Sequence, residues 1–111
     1  MRFSLLWPTL AGLALLAMVS GCAQRPLTDT EFRGFCYTNI GKRTSCDTLG
    51  ICDDFDGNVL QVKHASRADC TKACAAVYNR LYGPNLFEGC APTVLYSYDW
   101  CMKYCNTNYP Q

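Results

Sequence analysis

The chain has 111 residues, with 50% hydrophobic residues, 17% charged residues, nine cysteines and a formal net charge of +1. This length allows one small domain with a modest core, and domains of this size often depend on covalent cross-links. The near-neutral charge, with no run of like charge longer than two residues, excludes the basic surface typical of nucleic-acid-binding proteins.

Residues 1–21 have the layout of a secretory signal. Arg2 precedes an apolar stretch that is uninterrupted from Leu10 to Val19, and small residues follow it. The alternative is a retained transmembrane helix, which needs about 20 apolar residues. Trp7-Pro8-Thr9 interrupts the stretch, so a removed signal is the expectation.

Val19-Ser20-Gly21-Cys22 closes the apolar stretch and resembles the lipobox of bacterial lipoprotein precursors. The resemblance implies cleavage before Cys22, a diacylglyceryl thioether on its sulfur and a fatty acyl chain, such as palmitate, on its amino group. Several acyl chains anchor a protein stably to a membrane. Because Ala23 rather than aspartate follows, the resemblance implies the outer membrane of a two-membrane cell, on its periplasmic or surface face. An ordinary signal peptide cut at Ala23 is the other possibility.

Removal of the signal leaves the chain formally neutral, because Arg2 is one of ten Lys and Arg residues and the remaining nine equal the nine Asp and Glu residues.

The number of cysteines fits an exported domain, because the nine cysteines are an odd number and one of them, Cys22, is assigned to the lipid. Eight cysteines remain after Cys22, enough for four disulfides in an oxidising compartment. We expect residues 22–34 to form a lipidated Cys22 and a short tether, and residues 35–111 to form one disulfide-stapled domain.

The first half of this domain carries strand signals. Phe35–Ile40 is β-prone and is followed by Gly41-Lys42, a turn candidate. Ile51–Phe55 and Asn58–Lys63 flank Asp56-Gly57, and Asp-Gly between two such runs is a strong hairpin signal. These patterns predict a β-hairpin or a small antiparallel sheet.

The second half carries helix signals. Residues 66–82 have helical periodicity, with Ser66 and Asp69 as a capping pair and Gly83-Pro84 as the stop signal. A shorter helix is predicted from Ser97, as N-cap, to about Cys105. Residues 84–96 are expected to form a loop, with an extended piece at 93–96. The predicted fold class is therefore small disulfide-rich α+β: a hairpin or sheet followed by a disulfide-linked antiparallel helical pair.

Two Cys-x3-Cys pairs place thiols one turn apart on each predicted helix. Antiparallel packing of the helices allows two nested bridges, Cys70–Cys105 and Cys74–Cys101. The spacing resembles the twin Cys-x3-Cys helical hairpins of small mitochondrial intermembrane-space proteins, which are a geometric precedent for two nested bridges. Cys36, Cys46, Cys52 and Cys90 have three possible connectivities, and we favour Cys36–Cys52 with Cys46–Cys90.

Other candidate sites have simpler interpretations. A zinc site of four thiolates at 70, 74, 101 and 105 fits the spacing but requires reduced cysteines, and no Cys-x-x-Cys redox motif is present. His64, the single histidine, is expected on the surface. Residues 53–58 resemble part of a calcium loop, but Lys63 stands where a bidentate glutamate is needed. We expect no catalytic residues, no metal and no cofactor.

Trp100 and Tyr104 lie together off the cysteine face of the second predicted helix. They either complete the core against the sheet or form an aromatic contact patch for a protein or glycan partner. The expected function is a non-enzymatic, lipid-anchored binding or structural module of the bacterial envelope, docking to a larger protein assembly through a protein partner and not to nucleic acid. The alternative is an inhibitor or immunity-type lipoprotein that blocks a hydrolase or toxin.

Overall fold

The computed structural model describes residues 24–38 and 46–110. The signal segment with Cys22 and the turn expected at Gly41-Lys42 lie outside these residues. The described elements are, in chain order, α1 (Asp29–Thr38), α2 (Thr48–Phe55), a π-helical turn (Asp56–Leu60), α3 (Arg67–Phe87) and α4 (Ala91–Asn108). No strand occurs in the described part of the chain. The predicted α+β class, with its hairpin or sheet, is therefore wrong, and the described domain is helical and disulfide-rich.

The residues expected to form the hairpin follow a helical period instead. The buried positions are 51, 52, 55, 56, 59 and 60, which is the spacing of one helix face and not the alternation of a strand. Asp47 caps the start of α2, since its Oδ1 accepts a hydrogen bond from the Gly50 backbone N–H at 3.0 Å. Gly57 does not adopt the positive φ that a type I′ turn requires. The chain therefore continues from α2 into the π-helical turn.

Helix α1 occupies residues expected to be tether and strand. Thr28 Oγ1 accepts from the Glu31 backbone N–H at 3.1 Å, and Glu31 Oε2 accepts from the Thr28 backbone N–H at 3.2 Å. This reciprocal pair is a capping box. Phe32 and Cys36, four residues apart, are fully buried. The first helix of the described residues thus begins at Asp29, within the predicted tether of 22–34.

Helix α3 begins as predicted, with Ser66 Oγ accepting from the Asp69 backbone N–H at 3.1 Å. It passes the expected stop, because Pro84 lies on an exposed face where the carbonyl that loses its donor can be hydrated. The helix ends at Phe87, and Gly89, which follows the C-cap Glu88, has a φ of 76°. Cys90 N–H donates to the Asn85 carbonyl and Gly89 N–H to the Leu86 carbonyl, which is the Schellman arrangement.

Helix α4 begins six residues before the predicted Ser97. Cys90 precedes its first turn and Pro92 lies within that turn, where a missing N–H costs no helical hydrogen bond. Ser97 is instead buried in the middle of the helix, and its hydroxyl donates to the Thr93 carbonyl at 2.8 Å. The expected loop at 84–96, including its extended piece at 93–96, is therefore wrong.

Four disulfides connect the helices around α4, which contacts each of the other described helices and the π-helical turn. The bonded pairs are Cys36–Cys52, Cys46–Cys90, Cys70–Cys105 and Cys74–Cys101, with Cα–Cα distances of 5.6 to 5.9 Å. They coincide with the pairs favoured from the sequence. Two of them link α3 to α4 as an antiparallel hairpin, and Cys36–Cys52 links α1 to α2 beside buried Phe32 and Phe55.

Candidate functional site

The two aromatic residues proposed as a contact patch are separated by the fold. Tyr104 is only 9% exposed and packs in the core, and its burial raises the pKa of its phenol. Trp100 is partly exposed and stacks on Phe35 of α1, with ring centroids 4.0 Å apart and planes within 3°. Only Trp100 therefore contributes to a surface, and its neighbour there is Phe35, which lies in a predicted strand but in an observed helix.

Trp100 lies in an open groove of about 330 Å³, which we call the aromatic groove. The groove is lined by Gln24, Arg25 and Leu27 from the N-terminal segment, Glu31 and Phe35 from α1, and Trp100, Lys103 and Thr107 from α4. Lys103 Nζ lies 4.7 Å from the centroid of the Trp100 ring, and Tyr96 meets the same ring edge-on at 6.4 Å. Phe35 and Lys103 therefore both contact the indole, which remains partly exposed.

The groove combines aromatic rings with charged side chains. Arg25 Nη2 lies 2.6 Å from Glu31 Oε1, and the Arg25 side chain is 75% exposed. The Thr28 backbone N–H, with a further contribution from Arg25, holds the pKa of the Glu31 carboxyl below its usual value. Glu31 is therefore ionised and neutralises Arg25, while Lys103 remains as a second cation beside the indole.

The N-terminal segment that lines the groove is attached to the end of α4. Leu27 is 6% exposed. Its backbone N–H donates to Thr107 Oγ1 at 3.0 Å, and its carbonyl accepts from Asn108 Nδ2 at 2.8 Å. The same end of the bundle holds the start of α3, because Arg67 Nε donates to the Tyr109 carbonyl at 2.7 Å. We call this end of the molecule the anchor end.

The opposite end of the α3–α4 hairpin, which we call the distal tip, consists of Leu49, Leu86, Phe87 and the Cys46–Cys90 bridge. Phe87 is 92% exposed, Leu49 64% and Leu86 48%. Phe87 and Leu49 are each three residues from a cysteine of the bridge. At a rise of 1.5 Å per residue, the start of α4 is about 24 Å from Thr107. A cross-linked turn thus presents apolar side chains far from the anchor end.

Phe35 and Phe87 are exposed aromatic residues that the sequence does not mark as functional. Gly89 is a sequence signal that predicts a helix end near Phe87, since glycine is favoured just after a helix C-terminus. The exposure of Phe87 depends on tertiary packing and has no local sequence signal. For Phe35, the capping box at Thr28 and Glu31 predicts a helix on which Phe35 lies about 60° from Phe32, at the edge of the buried face.

The single histidine and the acidic run make structural contacts. His64 Nε2 lies 2.8 Å from the Val59 carbonyl, and its ring packs edge-on against Tyr109. The aspartates of the apparent calcium loop diverge. Asp56 is buried and accepts from Arg33 Nη2 at 2.6 Å, Asp53 accepts from the Tyr37 hydroxyl, and Asp54 lies 3.6 Å from Arg80.

Among residues 24–38 and 46–110, no group of three or more histidine, cysteine or acidic side chains is arranged to hold a metal ion. Across the same residues, no helix has the length and apolar character needed to cross a membrane. The chain matches no protein-family model, no curated protein by sequence, and no solved structure. The two surfaces, the aromatic groove and the distal tip, are therefore interpreted from their own chemistry.

Proposed function

We propose that this protein is a non-enzymatic, lipid-anchored binding module of the bacterial envelope, which docks through its distal tip to an apolar pocket of a larger protein assembly. The observation that carries the proposal is the 92% exposure of Phe87 on a cross-linked turn. Burial of a phenylalanine side chain contributes about 1.5 to 3 kcal/mol relative to leaving it exposed. The fold forgoes that stabilisation, so it remains available for binding.

The turn that carries Phe87 is held in place from both sides. The positive φ of Gly89 and the hydrogen bond from Cys90 N–H to the Asn85 carbonyl fix the end of α3. The Cys46–Cys90 bridge attaches the turn to the chain just before α2. A turn that is already ordered loses little conformational entropy when it binds, and this raises affinity without adding contact area.

The anchor end and the distal tip lie at opposite ends of α4, so lipid attachment and protein binding use different surfaces. Cys22, the proposed lipidation site, precedes Gln24 by two residues, and two residues span at most about 7 Å. The lipid therefore attaches beside the docked N-terminal segment. The tip, about 24 Å away along α4, is left free for a protein partner in the outer membrane or the periplasm.

Photo-crosslinking in the native host tests this proposal. A photoreactive residue replaces Phe87 in one variant of the full chain and Asn79, an exposed residue of α3, in the matched control. We expect one discrete envelope protein to be crosslinked from position 87 and not from position 79. Co-purification of that protein is then compared between the wild type and the Phe87→Ser and Leu86→Ser variants. Equal recovery with the wild type and both variants would overturn the proposal.

The rigidity of the same turn also favours the second candidate, an inhibitor or immunity-type lipoprotein. An exposed phenylalanine on a cross-linked turn can fill the cleft of a hydrolase or toxin without further ordering. Inhibition of a purified lytic enzyme by the wild-type protein, lost in Phe87→Ser, would favour this candidate. Stable co-purification with an envelope complex, without inhibition, would favour the first.

A further inference from the structure

The aromatic groove has the composition of a surface that lies against a phospholipid bilayer. Tyr96, Trp100, Lys103 and Thr107 form one stripe along α4, because their spacing keeps them on one face of a helix. Phe35, which is 42% exposed, extends the apolar part of the stripe. Tryptophan and tyrosine are enriched at membrane–water interfaces, and lysine side chains there extend their charged ends to the headgroups.

The position of the groove relative to the N-terminus indicates what covers it. Gln24 and Arg25 line the groove and are themselves two and three residues from Cys22. This distance is at most about 7 to 11 Å. A lipid on Cys22 must enter the bilayer, so the groove is held within one headgroup layer of it. The hydrogen bonds of Leu27 to Thr107 and Asn108 prevent the segment from carrying the groove further away.

The contacts of Trp100 favour a membrane surface over a sugar as the binding partner of the aromatic groove. A sugar-binding tryptophan needs a free ring face for stacking, and here Phe35 lies parallel to the indole at 4.0 Å, while Lys103 Nζ lies 4.7 Å from its centroid. Two chemically different groups meet here, the partly exposed indole and the Lys103 ammonium. This pair suits the boundary between acyl chains and anionic phosphate groups.

We infer that the aromatic groove, with Trp100, Phe35 and Lys103 at its centre, docks on the surface of the bilayer that holds the lipid on Cys22. This inference rests on the proposed lipid anchoring. In the docked state α4 lies along the membrane, and the distal tip points sideways at about the height of the headgroups. The partner that receives Phe87 therefore presents its apolar pocket close to the membrane surface.

Trp100 supplies a direct test because it is the only tryptophan after residue 21; the other is Trp7, in the signal. The full lipidated protein, with its Cys22 adduct verified by intact mass, is placed in vesicles of phosphatidylethanolamine and phosphatidylglycerol, with or without bromine on the acyl chains. We expect bromine to quench Trp100 emission and aqueous iodide to quench it little. Quenching by iodide alone would overturn the inference.

Lys103→Gln tests the charge contribution, with Lys72→Gln as the matched control, since Lys72 is exposed on α3 and does not line the groove. A basic residue near an anionic bilayer contributes about 1 kcal/mol, so Lys103→Gln is expected to lower the ratio of docked to undocked protein about fivefold. Each variant is normalised to its own emission in bromine-free vesicles, because the lysine also contacts the indole. Equal ratios in the two variants would contradict the role of Lys103.

The outcomes separate the two proposals. Absence of lipid on Cys22 removes the anchor and with it both the proposed location and the docked groove. If Cys22 carries lipid and Phe87-dependent crosslinking is intact, but bromine does not quench Trp100, then only the docking of the groove on the membrane is overturned. A shift of Trp100 emission by soluble peptidoglycan fragments, without bromine quenching, would identify the groove as a glycan site and also overturn the inference.

Discussion

The backbone N–H of Leu27 donates a hydrogen bond to Oγ1 of Thr107 across 80 residues of sequence. Thr107 itself donates to the Lys103 carbonyl within α4, so its hydroxyl joins the N-terminal segment to the end of the helix. The bond stabilises the position of residues 24–28, which form no helix or strand. The orientation of the whole domain relative to Cys22 therefore depends on a side chain near the C-terminus.

Thr107→Val should weaken the attachment of the N-terminal segment while preserving the helices. A typical intramolecular hydrogen bond contributes about 1 kcal/mol, and loss of its acceptor leaves the Leu27 N–H without a partner. We expect faster hydrogen exchange at Leu27 and a free energy of unfolding lower by about 1 kcal/mol. Thr71→Val is the matched control, because the Thr71 hydroxyl donates only to Ala68 within α3. Similar exchange rates at Leu27 in both variants would contradict the assignment.

Two glycines in helices should respond differently to alanine. A Cβ added at Gly34 meets no atom within 4 Å, whereas one added at Gly50 overlaps the capping carboxylate of Asp47. Gly34→Ala should raise the free energy of unfolding by about 0.5 to 1 kcal/mol, since alanine restricts the unfolded chain. Gly50→Ala should give no such gain, because the displaced cap costs about 1 kcal/mol. Denaturant unfolding measures both changes.

A double-mutant cycle isolates the contact between Gly50 and the cap. In an Asp47→Ala background the carboxylate is already absent, so Gly50→Ala should recover the stabilisation that alanine provides. Additive effects of the two substitutions would show that the carboxylate and the new methyl group do not interfere, contrary to the structure.

The sequence predicted the disulfide pairs better than the elements that carry them. Helical spacing of Cys70 with Cys74 and of Cys101 with Cys105 left few ways to pair them, and both helices exist in the fold. Cys36, Cys46, Cys52 and Cys90 have the partners favoured from the sequence, although the predicted sheet between them is absent. Disulfide connectivity depends less on local backbone conformation than secondary structure does, because a bridge needs only two nearby Cα atoms.

The predicted hairpin around Asp56-Gly57 is wrong because short apolar runs fit both a strand and a helix. Val59 and Leu60 are adjacent in sequence and both buried, which a two-sided strand in a small sheet would not allow. A helix face does allow it, when Ile51, Cys52 and Phe55 precede at the right spacing. The Asp-Gly turn signal outweighed this spacing in the prediction, although tertiary packing against α4 decides the conformation of so short a segment.

The four disulfides should differ in their sensitivity to reductant. Cys46 is partly exposed, whereas Cys36, Cys52, Cys70, Cys74, Cys101 and Cys105 have no exposed surface. Thiol–disulfide exchange requires access of the attacking thiolate to a sulfur atom. Mild reduction of the native protein, followed by alkylation and peptide mapping, should therefore label positions 46 and 90 first. First labelling within α3 or α4 at the nested bridges would contradict this order.

Opening the Cys46–Cys90 bridge should weaken partner binding more than it perturbs the helices. The bridge joins the turn beside Phe87 to the segment before α2, while the other three bridges lie within the core. We expect Cys46→Ser/Cys90→Ser to retain its helical circular dichroism but to lose about 4 kcal/mol of unfolding free energy, the value for a loop of this length in the chain-entropy model. Phe87-dependent crosslinking should fall, because the turn must then be ordered upon binding.

Acidification should release the N-terminal segment before it unfolds the core. The pKa of Glu31 is lowered by its hydrogen bond from the Thr28 backbone N–H and by its pairing with Arg25. A carboxyl with a lower pKa in the folded than in the unfolded chain stabilises the fold above its unfolded pKa, and this contribution is lost as the pH falls through the folded value. After correction for the intrinsic pH dependence of exchange, the Leu27 amide should therefore lose its protection from hydrogen exchange below about pH 4.3, the usual pKa of a glutamate.

Two variants test the assignment to Glu31. Glu31→Gln should show weaker protection of the Leu27 amide at neutral pH and no transition, whereas Glu88→Gln, beside the distal tip, should retain the transition. The same pH transition in all three proteins would show that another carboxyl controls the segment.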